Sequence, residues 1–188
     1  FPYTTLFRSL TQRFFAALGV PVVLDTDVNG ALKAEMELGA ARGAHCAAYV
    51  TIGTGIGGAI HTPGGFLGRP AHPEFGHIRV ERHPDDLDFP GTCSFHGACL
   101  EGLASAGALS RRWGDPALLP KDHPAWDIEA FYLAQACVSL TLTARPDRIL
   151  LGGGVMLADG LMPKVRAAFA RLMNGYLDLS DGDIESLI

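Results

Sequence analysis

Three residues in one short loop have the types and spacing to hold a metal ion. Cys93, His96 and Cys99 follow the pattern C-x2-H-x2-C, and thiolate and imidazole are the donors that zinc takes in tetrahedral sites. Glycines at 91 and 97 let such a loop fold tightly. The fourth donor must come from elsewhere. His77 and His83 are both candidates on spacing, with His72 further upstream. No open coordination position is evident, so the expected ion is structural zinc and not a hydrolytic centre. Glu74 and Glu101 bracket the stretch, and a clamped loop would hold these two carboxylates near one another. The plainer alternative is two reduced cysteines and a surface histidine in a loop.

Two further features carry chemistry. Asp27 follows the β-branched run PVVLDT and precedes a helical pattern, ALKAEMELGAA, that ends near Gly43. The run reads as a short buried strand, which puts Asp27 at a carboxyl edge where α/β proteins bind ligands. Taken alone, an Asp at a helix start reads first as a cap. TIGTGIGG (51–58) holds four glycines in six residues, Gly53, Gly55, Gly57 and Gly58. It is not G-x-G-x-x-G, and a strand-like segment follows it, so a dinucleotide fingerprint is excluded. A β-hairpin whose backbone N–H groups cradle an anion fits better, with Thr51 and Thr54 adding hydroxyls. In isolation the hairpin reads equally as a turn. ILLGGGVM (149–156) is strand then triple glycine, either a nucleotide contact or a tight turn.

The remaining elements must position these groups. LTQRFFAAL (10–18) has apolar residues at helical spacing, with Gly19 to end it. Residues 103–114 and 128–144 read as helices, 116–127 as a proline-bearing surface connection, and 161–172 as a helix. A chain of 188 residues with 48% hydrophobic and 19% charged residues is globular, with a sizeable core. Its net charge of -5 disfavours nucleic acid as a partner. No apolar run reaches the roughly 18 residues of a membrane span. Cys46 and Cys137 sit in apolar surroundings and read as buried small hydrophobes. No secretory signal is read, so a cytoplasmic protein with reduced cysteines is expected.

Both ends carry expectations of their own. FPYTTLFRS (1–9) matches the translation of a widely used sequencing-library adapter and is expected to be non-native. Residues 176–188 stop in an apolar run without a helix stop signal. A chain cut at both ends is therefore expected.

Together TDVNGA (26–31), TIGTGIGG (51–58), HPEFGH (72–77), the 93–105 segment CSFHGACLEGLAS and ILLGGGVM (149–156) resemble the ROK family of sugar kinases and repressors, in its bacterial fructokinase branch. The resemblance covers residues 10–188 in collinear order. It implies an α/β, actin-like (ribonuclease-H-like) fold of two domains around a cleft, incomplete here at both ends. The implied reaction moves the γ-phosphoryl of Mg2+-bound ATP to fructose, in a homodimer. On matching positions, Asp27 is the general base, and Asn29, Glu74, His77 and Glu101 bind the sugar. His77 joins Cys93, His96 and Cys99 on zinc, so the metal loop is 77–99. Thr51, Gly53, Thr54, Gly55 and Gly57 resemble the second phosphate loop, and Gly152, Gly153 and Gly154 part of the adenosine site. The family's initial D-x-G-G-T loop is not found, so these 188 residues alone are expected to be inactive. The alternatives are a kinase of glucose or mannose, a sugar-responsive repressor with a helix-turn-helix domain, and a zinc-stabilised interaction module.

Overall fold

The computed structural model describes residues 2–69 and 71–188, for residues 2–8 as backbone only. Phe1, the first residue of the segment read as non-native, lies outside the described residues. Helix α1 (Pro2–Leu18) runs through residue 9 without a break, and Gly19 ends it at φ +68°, as its sequence predicts. Residues 21–26 are not the expected strand. They run uncoiled into α2 (Asp27–Leu38), and Val23 is 80% exposed. β-branched composition cannot hold a strand without a neighbour to bond, and this run pairs with no strand among the described residues. Helix α2 also stops earlier than Gly43. The Gly39 N–H closes on Glu35 O, and the Glu35 carboxylate takes the next free N–H, that of Ala40.

The sheet is built from β1 (Ala47–Ile52), β2 (Ile56–Thr62), β3 (Gly65–Phe66) and β4 (Arg148–Gly152), in the order β3-β2-β1-β4. The hairpin β1–β2 is antiparallel, with Ile52 opposite Ile56, while β4 lies parallel to β1. Alternation of side chains sorts the two faces. Ala48, Val50 and Ile52 point into the main core, and Ala47 joins Val28, Leu32 and Ala59 in a smaller cluster under α2.

The main core is organised by α5 (Ala125–Thr143), which is apolar nearly all round and therefore buried. It packs against α6 (Leu161–Met173), burying Tyr132, Leu133, Leu140, Leu161 and Phe169. Helix α7 (Asp181–Leu187) closes the chain behind a capping box, Ser180 with Asp183. The single helix expected over 103–114 is instead divided between α3 (Leu100–Ala104) and α4 (Ala106–Trp113). Ser105 sits extended between them. Its N–H ends α3 on Glu101 O, and its hydroxyl starts α4 by accepting Ala108 N–H at 3.3 Å. Among the described residues no helix is long and apolar enough to cross a membrane.

Candidate functional site

The donor atoms of His77, Cys93, His96 and Cys99 all lie within 4.8 Å of one another. His77 Nδ1 is 3.5 Å from Cys99 Sγ and 3.7 Å from Cys93 Sγ, and His96 Nδ1 is 3.7 Å from Cys93 Sγ. Bond lengths of about 2.0–2.3 Å to a tetrahedral zinc require donor separations of roughly 3.3–3.8 Å. The donor set fits that ion in chemistry, and these three separations fit it in spacing. His83 is occupied elsewhere, since its Nδ1 accepts the Asp85 N–H at 3.1 Å and its ring stands edge-on to Phe131. The backbone shapes the knot. Cys93 and Gly97 exchange both of their main-chain hydrogen bonds, and Gly97 adopts φ +60° to close that turn. A short 3-10 turn, Phe75–His77, delivers the His77 imidazole. Desolvation works against both thiolates. At Cys99 it dominates and pushes the thiol up; at Cys93 the N–H groups of His96 and Phe95 outweigh it and lower the pKa.

The carboxylates are organised by three consecutive residues of the hairpin turn, Gly55, Ile56 and Gly57. The Ile56 N–H donates to Glu101 Oε2 at 3.0 Å. The Ile56 carbonyl meets Gly76, where any Cβ would collide with it, so the segment carrying Glu74 and His77 is seated on the same residue, one peptide further along. A Cβ on Gly55 would lie 2.7 Å from Glu101 Oε2, and one on Gly57 2.9 Å from Val28 Cγ2, beside Asp27. Both positions are glycine because a site element approaches there. The structure thus brings the segments of Asp27, Glu74 and Glu101 onto one turn.

Asp27 is the first residue of α2 and is exposed, with Oδ1 accepting Val28 N–H at 2.9 Å. The N-cap is Thr26, whose hydroxyl accepts Asn29 N–H at 3.1 Å, so Asp27 is not the capping residue, although its Oδ1 serves the Val28 N–H of the same first turn. Asn29 is buried at 3% exposure. Glu74 is exposed, with Oε1 3.0 Å from His72 Nε2.

On its other side the hairpin borders a cavity of about 810 Å3. Gly53 and Thr54 line it from the turn, Gly154 from the triple glycine, and Ala106 from the start of α4. Thr51, Gly55, Gly57, Gly152 and Gly153 do not line it. Gly152 and Gly153 are glycines for packing, since a Cβ there would collide with the Tyr49 hydroxyl or with Ile52 O. Gly154, with nothing near its Cβ position, leaves open space. Asp115, Lys121, Trp126 and Asp159 also line the cavity. The sequence did not single them out: Lys121 and Trp126 fall in the proline-bearing 116–127 segment, which reads only as a connection, and Asp115 and Asp159 belong to no motif.

The ROK family model matches residues 7–186. The chain belongs to the ROK family. A ROK relative, the fructokinase of Zymomonas mobilis, is 47% identical over 174 residues, covering 89% of this chain and 57% of the relative. The ROK hexokinase of Thermus thermophilus superposes with a TM-score of 0.74 at 30% identity, covering 88% of this chain and 60% of that one. The ROK glucokinase of Streptomyces griseus, solved with glucose and AMPPNP, gives 0.68 at 26%, covering 86% and 62%. The expected α/β, actin-like fold is the fold of these ROK kinases. The chain spans less than two thirds of the length of each of these three proteins.

Proposed function

We propose that this chain is the sugar-binding and metal-binding part of an ATP-dependent fructokinase. The reaction converts fructose to fructose 6-phosphate in the cytoplasm, in a homodimer, with Mg2+ arriving on the nucleotide. The observation that supports it best is the two-sided hairpin. Asp27, Glu74 and Glu101 gather at 55–57, and Gly53 and Thr54 face the 810 Å3 cavity. A phosphoryl group held by the turn from the cavity side would lie next to a hydroxyl held from the carboxylate side.

Phosphoryl transfer depends on positioning and charge neutralisation more than on covalent chemistry by the protein. Asp27 acts as general base. Its carboxylate takes the proton of the sugar hydroxyl as that oxygen bonds to the γ-phosphorus, and ADP leaves with the electron pair of the broken P–O bond. Asn29, Glu74 and Glu101 hold the other hydroxyls. His77 serves both sites, because its Nδ1 faces the two sulfurs and leaves Nε2 for a hydroxyl. Zinc on His77, Cys93, His96 and Cys99 would fix that imidazole's tautomer and the loop's shape. Within the phosphate loop of Thr51, Gly53, Thr54, Gly55 and Gly57, Gly53 and Thr54 would face the phosphates, and of Gly152–Gly154 on the adenosine side, Gly154 would face the nucleotide while Gly152 and Gly153 pack behind it. The 188 residues alone are proposed to be inactive.

ADP release from Mg2+-ATP across fructose, mannose, glucose and N-acetylmannosamine, measured with the gene product that contains these residues, tests the substrate. Preference for glucose or mannose would move the sugar and keep the site. Asp27→Asn is expected to lower kcat about 10²–10⁴-fold while sugar binding persists. Unchanged turnover would reject Asp27 as the base. Turnover by the 188 residues alone at roughly 1–100 s⁻¹, the usual range for kinases, would overturn their inactivity.

A further inference from the structure

Two residues before Asp27 stands a second carboxylate with a different set of partners. Asp25 Oδ1 accepts the Thr26 N–H at 2.9 Å and the Asn29 side-chain Nδ2 at 2.5 Å. Its other oxygen, Oδ2, pairs with Arg69. Arg69 in turn lies 5.4 Å from the centroid of the Phe66 ring, so it is held from two sides. Partial burial works to raise the Asp25 pKa, but the hydrogen bonds from Asn29 and Thr26 and the Arg69 charge outweigh it, and the group is held below the usual carboxylate range.

A carboxylate can only accept hydrogen bonds, so the bond from Asn29 decides which end of that amide faces Asp25. The NH2 end is consumed, and the carbonyl end is turned away from Asp25. Asn29 is 3% exposed on the first turn of α2, where a misplaced amide has little room to turn back. The Arg69 bond ties the same carboxylate to the loop that leaves β3 and leads into His72-Pro73-Glu74. Asp25 therefore touches both segments that the sugar site draws on.

We propose that Asp25 is a positioning residue of the sugar site: one oxygen orients the Asn29 amide so that its carbonyl faces a sugar hydroxyl, and the other registers the Glu74 segment against Asp27 through Arg69. This rests on the reading of Asn29 and Glu74 as sugar-binding groups.

The test uses the gene product that contains these residues, as the unsubstituted chain and two variants, each checked for folding by its zinc content. In Asp25→Asn the carboxylate is lost at constant shape. The Asn29 side-chain NH2 resonances are expected to move upfield and to exchange with solvent about tenfold faster, as befits a lost charge-assisted bond. The dissociation constant for fructose is expected to rise about tenfold. In Arg69→Met the Asn29 resonances are expected to stay in place while fructose binding weakens about threefold. The proposal is overturned if the Asn29 resonances of Asp25→Asn match those of the unsubstituted chain, or if they move and fructose affinity does not. If the unsubstituted chain binds no hexose, the sugar-site reading fails and takes the proposal with it. That failure shows in a sample without a substitution, so the two are told apart.

Discussion

Two polar clusters pin the excursion between β3 and α4, and they do it by opposite means. The proposed metal knot gathers four donors that an ion between them would complete. The second cluster completes itself. Asp86, buried at 7% exposure, accepts Arg112 Nη1 at 2.5 Å and the Tyr132 hydroxyl at 2.7 Å. The Arg112 guanidinium is stacked between Phe89 and Trp113, 4.5 and 4.0 Å from their ring centroids. It also donates to the carbonyls of Leu103 and Ala108. The metal-type cluster lies in the loop that leads into Glu101, and the self-contained one is anchored on α5 through Tyr132. One end of the excursion can thus respond to its surroundings while the other keeps it docked. Glu129, fully buried beside the self-contained cluster, has neither oxygen hydrogen-bonded within the protein.

Removing the ion is expected to give the largest effect. Structural zinc supplies apparent binding energies of about 10–16 kcal/mol in small zinc domains. A chelator, or Cys99→Ser, should therefore release residues 91–102. Amide hydrogen exchange is expected to lose protection there and to keep it in α5 and α6. Loss of protection everywhere would mean that the knot supports the whole core, and the comparison would fail.

Asp86→Ala is expected to come next. It leaves the buried Arg112 guanidinium, 7% exposed, without its carboxylate, a change that costs about 3–5 kcal/mol. The expected readout is a lower denaturation midpoint with zinc content unchanged. Zinc lost along with stability would show that the two clusters are not independent.

Glu129 gives the smallest effect and one of opposite sign. Burial pushes its pKa well up; the Arg112 charge pulls it down less, and Asp86 adds to the rise. An acid whose folded pKa is raised contributes most below its unfolded pKa, about 4.3. Stability from this group is then lost as pH rises toward the folded pKa, at up to about 1.4 kcal/mol per pH unit. Glu129→Gln is expected to remove that slope and to raise stability near pH 7 by about 1 kcal/mol. A drop in stability instead would mean that the carboxylate is ionised and paired with Arg112.

What the sequence made legible, and what it did not, follows the same division. The metal donors from 93 to 99 lie within seven residues, and the glycine hairpin within eight, so spacing alone points to both. His77 against His83 needed either a resemblance or a fold, since both are close enough in sequence. Asp86, Arg112 and Tyr132 are 26 and 46 residues apart and follow no pattern; only the packing of α4 and α5 assembles them. The same holds for Asp115, Lys121 and Asp159 around the cavity. The strand read at 21–26 failed because local composition describes what a segment prefers and not whether a neighbour is there to pair with it. The single helix read over 103–114 failed at Ser105, whose short hydroxyl side chain serves as a cap more readily than as a helix interior.

That break at Ser105 has a mechanical consequence. In one continuous helix the Ala106 N–H would be committed to the carbonyl four residues back. With the helix broken, it donates instead to Gly53 O at 2.8 Å. The rod that starts at the metal loop is therefore hinged at the point where it grips the tip of the glycine hairpin. Cys99 at one end and Gly53 at the other are joined by five residues of helix and one hydrogen bond, so the metal loop and the rim of the cavity share a single short linkage.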